Sequence, residues 1–259
     1  MKRAIFYLLA ITIAETIVVL LEPAIGIVTS SLVGIACHIF ILIVVIIDAS
    51  LINNYLYERL VLSLAIIPII RIVSLSLPLI GIPHIWQFPI IYLPLLASAI
   101  VIIRLLNLKP KDIGMNRGFM PVQLMIGLVG IGFGIVEYLI LAPEALIAEL
   151  SWQAAWLPAL VLLLSTGFVE ELIFRGILQK TTMAIFNKWG IVYVSYLFAI
   201  LHIGWIRTGN PIALIDIAFV FIVALVFGWI VNKTGSLLGV TLAHGITNIV
   251  LFIIAPFYF

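Results

Sequence analysis

Residues 212–231 read IALIDIAFVFIVALVFGWIV, an apolar run with a single charged residue, Asp216. A helix rises about 1.5 Å per residue, so the run is long enough to cross a hydrocarbon core of roughly 30 Å. Strands of a transmembrane barrel are shorter and alternate apolar with polar residues, whereas this run is continuously apolar. The stretch therefore predicts a membrane-spanning helix.

The rest of the chain repeats this pattern. Of its 259 residues 65% are hydrophobic and 9% are charged, whereas a water-soluble domain carries about 25% charged residues. The composition excludes a soluble fold and predicts an all-α, polytopic transmembrane bundle of eight to nine helices. Besides residues 212–231, the predicted spans lie at about 4–21, 28–47, 60–80, 88–106, 121–141, 154–178, 189–206 and 237–256.

The basic residues indicate how the chain crosses the membrane. Positively charged loops favour the cytoplasmic side, and nine crossings that start inside leave only Arg207 on the opposite side, while Arg71 falls within a span. We therefore expect a multi-pass protein of the cell membrane with a cytoplasmic N-terminus. No basic stripe interleaved with aromatic residues occurs, so nucleic acid is excluded as a partner. The residues placed inside are Lys2, Arg3, Arg59, Arg104, Lys109, Lys111, Arg117, Arg175, Lys180, Lys188 and Lys233.

A polar linker at residues 107–120 divides the chain into two parts. Residues 1–120 are interpreted as N-terminal transmembrane helices with few ionisable groups in mid-span. Residues 121–259 are interpreted as a second set of helices, which has many ionisable groups in mid-span and carries the chemistry. Glycines at 127, 130 and 134 have helical spacing and predict close packing of their helix on a neighbour.

Ionisable side chains at bilayer depth are costly, which makes each of them a candidate functional residue. Glu171 and Arg175 are four positions apart, with the carboxylate nearer the N-terminus, and this order favours an ion pair within the helix. Glu170 lies about 100° around the same helix and is expected to lack this partner. The spacing thus predicts a structural Glu171 and a Glu170 that is free to accept a proton.

Two later spans each carry polar groups on one face. His202 follows Phe198 by four residues, and Asn248 follows His244 by four. By the helical rise, Glu170, His202 and His244 lie roughly 15, 21 and 16 Å from the nearest lysine at the inner end of their helices. These depths predict that the three side chains meet in one cavity.

A carboxylate and an imidazole in such a cavity can activate a water, and a second imidazole with a carboxamide can stabilise an oxyanion. No serine or cysteine is placed as a nucleophile, which favours hydrolysis by water. Each residue also has a structural interpretation: Glu170 as a packing carboxylate, and His202, His244 and Asn248 as interhelical hydrogen-bonding groups. Their combination on three helices favours the catalytic interpretation.

Three motifs on separate spans resemble the CAAX protease and bacteriocin-processing family: E-E-x-x-x-R, F-x-x-x-H and H-x-x-x-N. The resemblance covers about residues 155–255 and does not extend to residues 1–120. That resemblance implies an intramembrane endopeptidase with Glu170 as the general base and His202 as its partner in activating water. It implies an oxyanion site at His244 and Asn248, and a membrane-associated or lipid-modified, possibly prenylated, peptide as substrate. The motifs stand here at Glu170, Glu171 and Arg175, at Phe198 and His202, and at His244 and Asn248.

We expect no cofactor, because Glu170 can activate water without a metal. The alternative is a zinc ion held by Glu170, His202 and His244, which would leave one position for water. Two other functions are alternatives. One is a catalytically silent family member that binds another membrane protein, and the other is a proton-coupled transporter, which would require matched halves that the sequence does not show.

Four further ionisable residues within the spans are predicted to pair across helices: Glu15, Arg71, Glu137 and Asp216. For Glu137 and Asp216 the alternative is that they line a route for the substrate. A deep Arg71 requires a carboxylate partner. His38 is interpreted as a packing residue.

Overall fold

The computed structural model describes residues 2–77, 81–204 and 212–259, so Arg207 and the end of the predicted span 189–206 lie outside the described residues. Within these ranges the chain forms helices and no strand, and seven helices are long and apolar enough to cross a membrane. The predicted all-α polytopic bundle is thereby confirmed. The helices are α1 Lys2–Leu51, α2 Tyr55–Ser76, α3 His84–Leu105, α4 Met120–Leu141, α5 Trp152–Phe186, α6 Trp189–Ile200, α7 Ala213–Thr234 and α8 Leu238–Phe257.

Helix α1 is a hairpin of two antiparallel arms. Gly26 has φ 79° and ψ 163°, a backbone conformation that glycine adopts without steric cost and that breaks the helix. The Tyr7 hydroxyl donates to Asp48 at 2.8 Å, although an unbroken helix would separate these residues by about 60 Å. The two arms correspond to the predicted spans 4–21 and 28–47.

Helix α7 contains most of the stretch 212–231 and has one surface exposed and another packed against protein. Ile215, Ile222 and Trp229 recur every seven residues and are each more than half exposed. Ala224 and Phe227 lie on another face and are buried. Because the surrounding solvent is hydrocarbon, the exposed apolar stripe is the face that α7 presents to lipid.

Helix α4 packs on α8 with almost no side chain between the backbones. Gly127, Gly130 and Gly134 are buried, as the glycine spacing predicts. A methyl group added at Gly130 would collide with the backbone of Ala243, and one at Gly134 would lie 2.6 Å from the carbonyl oxygen of Thr247. This contact fixes α8, the helix that carries His244, against α4.

Helix α5 crosses the middle of the bundle and has two segments with wider, π-type turns, Leu163–Glu170 and Leu172–Leu178. Such turns, with i→i+5 hydrogen bonds, are rare and frequently mark functional sites. At Gly167 the α5 backbone approaches α8 so closely that an added methyl group would lie 3.0 Å from Gly245. The small residues therefore bring the two glutamates of α5 within reach of α8.

The N-terminal helices pack against α5 and contain their own buried polar cluster. The hydroxyls of Ser63 and Thr181 are 2.8 Å apart and join α2 to α5. Glu15 of α1 accepts a hydrogen bond from Arg71 Nε at 2.6 Å, and its same oxygen lies 2.8 Å from His38 Nε2. The predicted carboxylate partner of Arg71 is thus Glu15.

Candidate active site

The ion pair between Glu171 and Arg175 is present and buried. Arg175 Nη1 donates to Glu171 Oε1 at 2.8 Å, and both side chains are almost fully shielded from solvent. The guanidinium also lies 4.6 Å above the ring of Phe198 and donates to the carbonyl oxygen of Ala224 at 3.4 Å. Stacking and hydrogen bonding therefore satisfy a cation that would otherwise be unstable at this depth.

Glu171 also orients His244. Its Oε1 lies 2.8 Å from His244 Nδ1, and because a carboxylate only accepts, Nδ1 carries the proton. The opposite nitrogen, Nε2, then points toward Glu170 and lies 3.7 Å from its Oε2. That distance is too long for a direct hydrogen bond, and it is the kind of polar separation that a water molecule bridges.

Glu170 has no ion pair with Arg175, as expected, but it has a protein partner that the helix spacing does not predict. The hydroxyl of Tyr92 in α3 donates a hydrogen bond to Glu170 Oε1. The two residues are 78 positions apart, so local helix spacing carries no information about this contact. Oε2 remains directed toward His244, and the side chain keeps 15% of its surface exposed.

His202 lies in a turn rather than within a helix, because α6 ends at Ile200. Its Nδ1 lies 2.8 Å from the carbonyl oxygen of Phe198, which can only accept, so Nδ1 is the protonated nitrogen. This side-chain bond uses a carbonyl that would otherwise accept from the next helical turn, consistent with the helix ending here. In the neutral imidazole, Nε2 is left as a hydrogen-bond acceptor.

Asn248 lies one helical turn beyond His244 and is anchored by α5. Its Nδ2 donates to the hydroxyl oxygen of Thr166 at 2.8 Å, and that hydroxyl donates to the carbonyl oxygen of Leu162. A carboxamide nitrogen carries two N–H groups, so one donor of Asn248 is available to a bound molecule.

Two cavities meet at these residues. The first, which we call the Arg71 cavity, has a volume of about 220 Å³ and is lined by residues of α2, α3, α5 and α6 and by His202. The second, the Asn248 cavity, has a volume of about 240 Å³ and includes His244 and Asn248. Glu170 and His202 line both cavities. The four predicted catalytic residues therefore all line the Asn248 cavity.

Two acidic residues near this space are among those predicted to pair across helices. Glu137 of α4 lines the Asn248 cavity and lies close enough to Glu170 and His244 for charge interaction. Asp216 of α7 is 1% exposed, and neither of its oxygens is hydrogen-bonded to a residue that the structure describes. The charge neighbours of Asp216 include Glu137 and His202. The sequence shows that both residues are acidic and lie within a predicted span. It does not show which cavity their side chains face.

The zinc alternative has no three-ligand group to support it. Among residues 2–77, 81–204 and 212–259, no three His, Cys, Asp or Glu side chains are arranged to hold a metal ion. Of the three ligands considered, Glu170 and His244 approach one another, but no hydrogen bond or ion pair joins either of them to His202 in the described part of the chain. Independence from metal stays a prediction.

The fold and the site together define a polytopic membrane protein with ionisable residues clustered inside its helical bundle. Residues 152–250 match the family model described as type II CAAX prenyl endopeptidase, Rce1-like. The segment is thus similar to the family that the three motifs resemble, and it contains all seven of the predicted catalytic and supporting residues. Tyr92 lies outside it. No curated protein and no solved structure matches the chain.

Proposed function

We propose that the protein is an intramembrane endopeptidase in which Glu170 activates a water molecule to hydrolyse a peptide bond of a membrane-associated substrate. The observation that carries the proposal is the approach of Glu170 Oε2 to His244 Nε2, at 3.7 Å, in a cavity that His202 and Asn248 also line. Groups that take up and donate protons thus surround one space inside the bundle.

Glu170 is the general base of this reaction. Its Oε1 is held by Tyr92, which leaves Oε2 to accept a proton from water. His202 presents Nε2, the nitrogen without a proton, to the same space. This nitrogen accepts a hydrogen bond from the second O–H group of that water. Two acceptors orient the water, and its oxygen is then free to attack a carbonyl carbon.

His244 and Asn248 stabilise the oxyanion that this attack creates. Asn248 has one N–H beyond its bond to Thr166. His244 donates from Nε2 when it is in its imidazolium form, which Glu171 stabilises through its bond to Nδ1. A preorganised oxyanion donor contributes about 10²- to 10³-fold to the rate in comparable sites.

The reaction is completed by return of the proton. Glu170 takes one proton from the attacking water and delivers it to the nitrogen of the scissile amide. The carbon–nitrogen bond then breaks, the hydroxyl of the water stays on the new carboxyl group, and the amine leaves as a neutral group. The carboxylate of Glu170 is thereby regenerated, and no covalent bond forms between the protein and the substrate.

The proposed substrate is a membrane-associated peptide, prenylated peptides included. About half of the side chains that line the two cavities are apolar, and the family description names prenyl endopeptidases. The proposed setting is the cell membrane, with the N-terminus on the cytoplasmic side as the distribution of basic residues favours.

Replacement of Glu170 by Gln tests the proposal. In the purified protein, with a fluorogenic farnesylated peptide as substrate, we expect kcat to fall by about 10²- to 10⁴-fold, the contribution of a general base. Glu144→Gln, which makes the same change in the exposed loop after α4, is the matched control and should keep full activity. A metal chelator should leave the rate of the wild-type protein unchanged.

Equal rates for Glu170→Gln and the wild type would refute the assignment. Complete absence of proteolysis in the wild type, together with a stoichiometric membrane protein that co-purifies, would instead favour the catalytically silent binding protein.

A further inference from the structure

Two acidic side chains, Glu137 of α4 and Asp216 of α7, have no part in the proposed reaction. Glu137 is partly buried and lines the Asn248 cavity together with Glu170 and His244. Asp216 is 1% exposed, and neither of its carboxyl oxygens is hydrogen-bonded to a residue that the structure describes. A buried carboxyl group without a partner is unfavourable unless something else satisfies it, which makes these two residues a candidate binding site.

The packing of α4 on α7 brings the two carboxyl groups together. The ring of Phe133 lies against that of Phe219, with 6.2 Å between the ring centroids. Glu137 follows Phe133 by four residues and Asp216 precedes Phe219 by three, so each acid continues the face of its helix that makes this contact. The two side chains are close enough for their charges to interact. We call them the Glu137–Asp216 pair.

No lysine or arginine that the structure describes neutralises this pair. Arg175 is the one such cation among the described residues that line the Asn248 cavity, and Glu171 already balances its charge. His244 is likewise bonded to Glu171. Two carboxylates that lie close together away from water repel, and one shared proton relieves that repulsion but leaves a single negative charge. This charge borders the cavity at Glu137.

The pair suits an organic cation better than a metal ion. Calcium takes about six to eight oxygen ligands, and no three His, Cys, Asp or Glu side chains in residues 2–77, 81–204 and 212–259 are arranged to hold a metal. An ammonium or guanidinium group, in contrast, pairs with a single carboxylate. The cavity wall also includes Leu141, Phe219 and Val223, whose apolar side chains can pack against the hydrocarbon stem of a lysine or arginine.

Glu137 lies a short distance along the cavity from the catalytic residues. A methyl group added at Gly134 of α4 would touch the carbonyl oxygen of Thr247 in α8, which puts these two residues at one level. The glycine contacts also show that α4 and α8 run in the same direction. His244 lies three residues before Thr247, and Glu137 lies three residues after Gly134. At 1.5 Å per residue, Glu137 is therefore about 9 Å farther along than His244, which is the length of two or three residues of an extended peptide.

We propose that the Glu137–Asp216 pair binds a lysine or arginine side chain of the peptide substrate, two or three residues from the scissile bond. Glu137 makes the contact, and Asp216 supports the negative charge from the protein side. This inference rests on the proposed peptidase function and adds a selectivity to it. A peptide with a basic residue at that position is a better substrate than one with an apolar residue there, because a charge-assisted hydrogen bond forms in a cavity shielded from water.

A set of farnesylated fluorogenic peptides of one sequence measures this selectivity. The second or third residue on either side of the scissile bond is Lys, Glu or norleucine, which has the stem of lysine without its charge. At one of these positions we expect the wild type to hydrolyse the Lys peptide at least about tenfold more efficiently than the norleucine peptide, mainly through KM. The Glu peptide should be the poorest of the three at that position, because it brings like charges together.

Variants of the pair show whether Glu137 produces the preference. In Glu137→Gln the ratio of kcat/KM between the Lys and norleucine peptides should fall to about one, because the charge at the cavity wall is lost. Asp216→Asn should keep most of the preference, since it leaves a carboxylate at Glu137. Glu144→Gln, the same change in the exposed loop after α4, is the matched control and should keep the full preference. The ratio is internal to each variant and is insensitive to loss of folded protein.

Two results would overturn the inference: equal hydrolysis of the Lys and norleucine peptides by the wild type at every position, or an undiminished preference in Glu137→Gln. Failure of the wild type to hydrolyse any of the peptides would contradict the proposed function instead. Fluorescence anisotropy of the labelled peptides then decides the site for the basic residue. Binding that is tighter for a Lys peptide and loses this preference in Glu137→Gln supports it, and binding without the preference, or no binding, refutes it.

Discussion

Replacement of Glu171 by Gln should destabilise the protein strongly, although the new side chain has almost the same shape. Glu171 Oε1 accepts from both Arg175 and His244, each at 2.8 Å, and its side chain is fully buried. The amide keeps a hydrogen-bond acceptor but removes the negative charge. Arg175 would then remain as a buried cation without its counter-ion.

The expected cost follows from these contacts. Removal of one member of a buried ion pair typically costs about 3–5 kcal/mol, because the other charge is left uncompensated. The stacking of Arg175 on Phe198 and its bond to Ala224 remain, which places the estimate near the lower end of that range. For a chain of this size, about 3 kcal/mol corresponds to a fall in Tm of roughly 6–12 °C.

Thermal unfolding of the purified protein in detergent measures this effect, and a second variant isolates its cause. When Arg175 is also replaced, as in Glu171→Gln with Arg175→Met, no unpaired charge remains, and part of the lost stability should return. A Glu171→Gln protein that unfolds within about 2 °C of the wild type would refute the reasoning. The reasoning would also be refuted if the double variant were less stable than Glu171→Gln alone, because the second substitution should restore stability.

Two other substitutions test contacts that position the site. Tyr92→Phe removes the hydroxyl that bonds to Glu170. Because a hydrogen bond to a charged group contributes about 1.5–3 kcal/mol, kcat toward the farnesylated peptide should fall about tenfold or more, and an unchanged kcat would contradict the role of this contact. Gly130→Ala places a methyl group against the backbone of Ala243 and should cost about 1–3 kcal/mol in thermal unfolding. Gly132→Ala, where the added methyl group meets open space, should leave stability equal or slightly higher, and equal losses in both variants would show that the close packing is unimportant.

The sequence predicts the helices well because the bilayer imposes a simple rule on length and polarity. The sequence has nine apolar runs that predict membrane spans, and within the described residues each of these runs contributes to a helix. The end of α6 was missed, since the bond from His202 to the carbonyl of Phe198 is a matter of local side-chain geometry rather than of hydropathy. The break at Gly26 is consistent with the gap between the first two predicted runs.

Within the site, contacts along one helix are predictable and contacts between helices are much less so. The pair of Glu171 and Arg175 follows from a four-residue spacing. The bond from Tyr92 to Glu170 depends on how α3 packs on α5, and a tyrosine in an apolar span gives no sign of its partner. Arg71 is an intermediate case: its need for a carboxylate is evident from its depth, but the identity of Glu15 required the structure.

The wide turns of α5 have a consequence for how this helix tolerates change. A substitution between Leu163 and Glu170 alters one side chain and leaves the others facing the same way. A deletion of one residue there would narrow a turn or rotate everything that follows, and either change would disturb how the two neighbouring carboxylates face Tyr92 and His244. Sequence drift in this segment should therefore take the form of exchanges at constant length, while gains and losses of residues accumulate in the loops at either end of the helix.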